Sequence, residues 1–279
     1  MTNNTILISF CISRDLDVWC HSHQAMLKFI QVDCYVVVVP DEEVYEFRSN
    51  TDHRFQVLPE SIFRADWQKP LEDKFSLETK NRFGWYKQQF LKLAALDYFR
   101  KEFDGLIIFD SDTMPLSDMS FFIKGKPVYF VSKENHPQYF DTLQKIFGFG
   151  KLTDFSFISQ CFPVRSYHLD HFFDFFLPQQ WWSVLLDKVD FNSRSSFSEY
   201  ETLGNYIHKY FLGDYITSNA LWYRFGYDLG KPSYVFRKYS DRVCFNFVAF
   251  EKWAKNRSLL HRIRTRLIFF LSVARKHLN

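Results

Sequence analysis

The sequence predicts an α/β fold: a mixed, mostly parallel sheet flanked by helices, with a basic amphipathic helix at the C-terminus. Three observations carry this. A β-branched run, a helical pattern and a second β-branched run follow one another between Thr5 and Pro40, the order in which a parallel βαβ unit opens. A second buried-type strand, Leu106 to Phe109, is introduced by Gly105 and runs into Asp110-Ser111-Asp112. Carboxylates then sit where a strand leaves the core, and in open α/β sheets ligands bind at that end of the strands. From Lys252 onward there are eight Lys or Arg and no acid, spaced among apolar residues at helical intervals.

Composition bounds the function. A chain of 279 residues with 47% hydrophobic and 24% charged residues can bury an ordinary globular core. Its 34 Phe are more than a core absorbs, so some aromatics belong to surfaces or pockets. A net charge of +3 implies no general affinity for nucleic acid. The five cysteines include no C-x-x-C pair and are odd in number, which excludes a disulfide framework and a zinc module. The opening MTNNTILISF lacks the basic and long apolar parts of a signal peptide, and no apolar run is long enough to span a bilayer. A cytoplasmic chain on the inner face of the plasma membrane is expected.

Thr5 to Ile12 reads as the first strand, followed by the turn Ser13-Arg14-Asp15. Leu16, Trp19, His23, Met26, Leu27 and Ile30 mark a helix, and Asp33 to Pro40, with four consecutive valines, a second strand. Arg14 and Asp15 read equally as a loop with a helix N-cap or as the βα turn that holds a nucleotide. Asp41 to Phe75 is irregular, with one short strand at Phe55 to Leu58. A helix follows from about Trp85 to a point before Gly105, and its start (Gly84, Trp85, Tyr86, Lys87, Gln88, Gln89) clusters polar and aromatic groups instead of a clean cap.

After the Asp110–Asp112 strand end, Pro115 prevents a simple continuation. Two hard-oxygen carboxylates at that spacing suit Mg²⁺ or Mn²⁺, and the cation could clamp a diphosphate. D-x-D alone has little specificity, since Asp15-Leu16-Asp17 shares the spacing and turn-capping Asp residues do too. Pro127 to Ser132 and Phe155 to Val164 read as strands, Pro137 to Phe147 and Tyr167 to Leu177 as helices, with a loop region ending at Asn192 to Ser196. In Phe197-Ser198-Glu199-Tyr200-Glu201, Ser198 is an N-cap and Glu201 the reciprocal half of a capping box. Glu199 is then left on the first turn to face a cleft, ionised by the helix dipole as a general base must be. The plainer reading is dipole decoration for both glutamates.

The elements of Tyr215 to Val248 are not resolved by pattern; Arg224, Arg237, Lys238 and Arg242 there could offset a phosphate leaving group, though scattered basic residues usually belong to solvated surface. His261 is a candidate third metal ligand. In the tail, Leu260, Ile263, Leu267, Phe270 or Leu271, Ala274 and Leu278 fall on one helical face, with Arg257, Arg262, Arg264, Arg266, Arg275 and Lys276 around it. Such a helix suits an anionic membrane surface, the competing reading being a terminal helix docked on the domain or a second subunit. The domains expected are 1–250 and the tail 251–279.

Together, the Ser-Arg-Asp turn, GWYKQQFLKLAAL, LIIFDSDTMPL, the SFISQ strand and FSEYETLGNYI resemble the GT-A glycosyltransferases. The resemblance runs from Ile6 to about Ile207 and is closest to a bacterial family of capsule- and lipopolysaccharide-type sugar transferases. It implies a GT-A-like, Rossmann-type domain that moves a sugar from a nucleotide-sugar donor, a UDP-sugar, to a hydroxyl of a surface glycan or glycolipid acceptor. By that resemblance Asp110 and Asp112 hold Mn²⁺ or Mg²⁺ with the donor's ribose and diphosphate, and Arg14 and Asp15 lie near the nucleotide. Trp85, Lys87 and Gln88 or Gln89 line the donor pocket. Glu199, or Glu201 in its place, deprotonates the acceptor, which implies inversion. Two alternatives stand beside it. A haloacid-dehalogenase-like phosphatase would use the first Asp as nucleophile, but wants Thr or Val where Met114 stands. A non-catalytic membrane-associated scaffold with a transferase fold is the other.

Overall fold

The computed structural model describes residues 4–64, 66–76, 79–193, 195–218, 221–252, 255 and 257–276, without the side chains of 274–276. The expectations for Ala274, Arg275, Lys276 and Leu278 lie outside the described residues or side chains. In chain order the elements are β1 (Thr5–Phe10), α1 (Leu16–Phe29), β2 (Cys34–Val39), α2 (Val44–Asn50), β3 (Phe55–Pro59), α3 (Gln68–Glu72), α4 (Phe83–Phe99) and β4 (Gly105–Phe109). Next come β5 (Thr113–Pro115), β6 (Phe122–Ile123), β7 (Lys126–Phe130), α5 (Pro137–Phe147), β8 (Cys161–Arg165), α6 (Ser166–Asp174), α7 (Trp181–Lys188) and α8 (Glu199–Tyr210). The chain ends with β9 (Ile216–Ser218), β10 (Trp222–Tyr223), α9 (Pro232–Tyr239), β11 (Phe247–Ala249) and α10 (Leu259–Lys276). It is a mixed α/β protein.

The five-stranded sheet has the order β3-β2-β1-β4-β8. Direction follows from backbone contacts. Gly105 N donates to Asn4 O at 3.2 Å where β1 and β4 begin, and Ser9 Oγ donates to the Phe109 carbonyl at 2.8 Å where they end. Start meets start and end meets end, so β1 and β4 are parallel. Cys11 N donates to Val38 O at 3.0 Å, which puts the ends of β1 and β2 together as well. Ser166 N, just past β8, reaches Asp104 O, just before β4, at 3.0 Å; β8 therefore runs against β4. Two three-stranded sheets, β10-β11-β5 and β6-β7-β9, each combine a parallel with an antiparallel pair.

Two compact units divide the chain. The first comprises Met1–Ile6, Pro59–Ile108 and Phe122–Ser218, the second Leu7–Leu58, Phe109–Phe121 and Asn219–Asn279. The first is organised on α4, which is buried nearly all round from Tyr86 to Phe99, as a core helix is. Tyr129, Phe162 and Tyr200 stack in succession beside it, at 4.8 and 5.7 Å between centroids. Many of the 34 Phe are thus core after all. The second unit closes a separate core from Val18, Ala25 and Phe29 of α1, Met114 and Leu116, Val235 and Tyr239 of α9, Val248 and Phe250, and Phe269 of α10. The tail is therefore docked within the second unit by one of its faces.

Two expectations need correction. The strand foreseen over Phe155 to Val164 is β8 alone, because Gln160 takes a positive φ of 68° and breaks the extended run; Ser156 keeps only an isolated bridge to Ser132. The loop region before Asn192 contains α7, which buries Trp181, Leu185 and Leu186 on one side. β4 stops at Phe109, and Pro115 ends a separate short strand, β5, which pairs antiparallel with β11.

Candidate functional site

The second unit gathers the acidic turns. β1 and β4 are the strands at which the sheet order reverses, and both end toward the same edge. The β4 turn is tight: Thr113 N donates to Asp110 O at 3.0 Å. Two neighbours fix its backbone. Ser22 Oγ of α1 donates to Ser111 O at 2.7 Å, and Phe250 N to Asp112 O at 2.7 Å. After β1, Glu43 binds Ser13 through its backbone N–H and its hydroxyl, each at 2.7 Å.

Asp15 occupies the N-cap position of α1 but makes no capping hydrogen bond. Its carboxylate faces Arg14 at 3.4 Å and Lys252 at 3.4 Å, and Lys252 also approaches Asp17 at 3.2 Å. Lys252 further donates to the Arg14 carbonyl. The structure therefore takes the capping role from Asp15 and joins it to a cationic bridge that pattern reading missed.

Electrostatics bring Asp15 and Asp112 together. Burial pushes the Cys11 thiol up, and the fields of Asp15 and Asp112 add to this against a hydrogen bond with Ser111. Burial likewise raises the Tyr227 hydroxyl, with Asp17, Asp15 and Asp112 contributing. Two groups thus feel both strand-end carboxylates. No cluster of three or more His, Cys, Asp or Glu arranged for a metal occurs among the described residues. His261 is bonded to Ser258 at 2.8 Å in the exposed first turn of α10. The chemistry still fits a divalent cation, since Mg²⁺ takes one or two protein carboxylates and completes its shell with phosphate and water. Asp110 and Asp112 are hard-oxygen ligands of the kind such a cation takes.

The first unit holds the other candidates, and here Glu199 is not left open to a cleft. Its carboxylate accepts from Lys92 Nζ at 2.7 Å, with the two side chains only 6% and 5% exposed. Its backbone N–H donates to Gln89 Oε1 at 3.0 Å, and Lys92 also reaches the Tyr200 hydroxyl at 3.1 Å. Glu199 is therefore buried with an ammonium partner on Oε1 instead of standing open on the first turn. Glu201 is also taken. Ser198 Oγ accepts from its backbone N–H at 3.4 Å, but its side chain does not return to close the box. It accepts from Ser156 Oγ and, at 3.0 Å, from Asn205 Nδ2. Burial raises its carboxyl against these donors.

The start of α4 grips the segment leading into α8. Arg82 donates to Ser195 Oγ at 2.9 Å and lies over the Trp85 ring, which is stacked on Tyr139. The Tyr86 hydroxyl meets Ser196 Oγ at 3.0 Å. Tyr86, Gln89 and Lys92 recur every three residues on one stripe, so the aromatic and polar helix start is a clamp for the α8 entrance. Lys87 is paired with Glu60, and Gln88 is half-buried on the same turn. Lys92 went unnoticed in the sequence, although a lysine inside the apolar run FLKLAAL was its signal.

A cavity of about 260 Å³ in the first unit is lined by Trp67, Tyr98, Trp181 and Trp182 among others. None of the candidate residues borders it. Among known proteins, a family of unknown function (DUF6492) matches residues 13–203, a span that includes the acidic turns, the clamp and the first turn of α8. No curated protein matches the chain.

Proposed function

The chain belongs to DUF6492, a family of unknown function, and we propose that it is a metal-dependent glycosyltransferase of GT-A type. It would take a sugar from a nucleotide donor, a UDP-sugar, and pass it to a hydroxyl of a surface-glycan or glycolipid acceptor. The observation that carries this is the reversal of strand order between β1 and β4 with Asp15 and Asp112 on the turns just beyond. A nucleotide binds such an α/β sheet at that switch point.

In this reading Asp110 and Asp112 hold Mn²⁺ or Mg²⁺. A bound cation offsets the charge that develops on the departing diphosphate. The protein's own part is positioning. Ser22 and Phe250 fix the β4 turn through two carbonyls, and Glu43 fixes the β1 turn. Lys252 offsets Asp15 and Asp17, which limits repulsion of the donor's phosphates. Arg14, whose side chain is largely exposed, is the group placed to meet nucleotide oxygens. Lys92 and Gln89 act on Glu199, so these three residues maintain the fold of the first unit and take no proton from the acceptor.

The test is release of UDP from UDP-sugars in the presence of Mn²⁺, comparing the wild type with Asp112→Asn. The substitution keeps size and removes charge, and the expected loss is about a hundredfold or more. Equal activity in the two proteins would refute the assignment.

A further inference from the structure

The C-terminal helix docks with one face and leaves the opposite face uncovered. The docked stripe is Thr265, Phe269 and Ser272, all buried. Phe269 stacks on Phe245 at 4.1 Å. Thr265 meets the Tyr223 hydroxyl at 2.6 Å, and Ser272 Oγ accepts from Cys244 N at 2.7 Å. Leu260, Ile263, Leu267, Phe270 and Leu271 recur at three- and four-residue steps on the other side, each at least 54% exposed. At 1.5 Å per residue the helix is about 27 Å long, so this is an extended apolar strip of the kind monomeric proteins rarely leave in water.

We propose that this strip docks on an anionic phospholipid surface, with α10 lying in the headgroup plane. Charge selects this occupant. Of the eight Lys or Arg from Lys252 onward, Lys252 and Arg257 pair with Asp15, Asp17 and Asp228; the segment itself has no acid to offset the other six, and exposed Arg264 borders the strip. A second copy paired through the same face would set these cations against their own kind, because a two-fold interface is self-complementary. Lipid phosphates supply the missing negative charge. No helix among the described residues is long and apolar enough to cross a membrane, so the helix lies on the surface.

Docking would act on the unit that carries the acidic turns. Asp228, in the turn Gly226–Asp228, is held by Arg257 at 2.6 Å and Thr265 at 3.3 Å, and its carbonyl by Arg266 at 3.2 Å. The adjacent Tyr227 packs on Phe250 at 5.3 Å between centroids, and Phe250 N donates to Asp112 O at 2.7 Å. A surface bound by α10 is therefore joined to the β4 turn through Asp228, Tyr227 and Phe250.

The experiment is flotation of the full chain with vesicles of phosphatidylcholine alone and of equal parts phosphatidylcholine and phosphatidylglycerol. The wild type should be enriched on the anionic vesicles by about tenfold over the neutral ones. The double variant Leu267→Glu with Phe270→Glu, at exposed positions and melting like the wild type, should lose about tenfold or more of that binding. No enrichment on anionic vesicles, or unchanged binding by the variant, overturns the proposal. So does a wild-type dimer that the variant converts to monomer without any vesicle binding, which would assign the strip to a second copy. No donor or nucleotide enters the readout, so its result is independent of glycosyl transfer.

Discussion

Lys92 and Glu199 exemplify a cost that single substitutions expose. Both are buried, and each is the other's counter-ion. Lys92→Met leaves a nearly buried carboxylate without its counter-ion, and should destabilise the protein by ~3–5 kcal/mol in urea unfolding. Adding Glu199→Gln removes the stranded charge, so the double variant should recover part of the loss. If Glu199 were instead a solvated base, Lys92→Met would leave stability nearly unchanged. His168 gives a pH signature. Burial lowers its pKa from 6.5 despite the Asp214 contact at 3.1 Å. A folded pKa below the unfolded one contributes stability that is present above 6.5 and is lost as pH falls through the folded value. Thermal stability should therefore decline on acidification below 6.5, and His168→Gln should decline less. His21 and His23 shift the same way by burial, so the variant removes part of the slope and leaves the rest.

Individual elements make sharper contrasts. A Cβ on Gly204 of α8 would lie 2.1 Å from the Phe157 ring, which is itself buried. Gly204→Ala should then cost ~1–3 kcal/mol by overpacking, although alanine favours an exposed helix by about 1 kcal/mol. A more stable variant would mean that α8 does not pack on Phe157 at this distance. On α10, Phe269→Ala should cost ~3–5 kcal/mol as a core truncation, whereas Phe270→Ala, 68% exposed, should change stability little. β1, α1, β2 and α5 were legible because a β-branched run, a helical stripe and an opening Pro137 are each local signals. The tail's apolar face was legible too, but its docked face was not. Thr265 and Ser272 are polar, and only the partners Tyr223 and Cys244 make them interior. Likewise β10 and β11 are two and three residues long, too short for any periodicity.

At the scale of the whole molecule, sequence spacing marked the acidic turns but not their relation. Asp15 and Asp112 become neighbours of Cys11 and Tyr227 only through the order β3-β2-β1-β4, which depends on pairing between distant strands. Spacing misjudged Glu199 for the same reason, because Lys92, more than a hundred residues away, is invisible to a capping-box argument. Glycosyl transfer by this chain would depend on the β1/β4 edge binding a nucleotide together with a divalent cation. Calorimetric titration with UDP, with and without Mn²⁺, on the wild type and on Asp112→Ala tests it most directly. Binding should require Mn²⁺ and weaken by about tenfold or more in the variant. Folded protein that binds none of UDP, GDP or CMP with or without metal, or Asp112→Ala that binds as the wild type does, would contradict it.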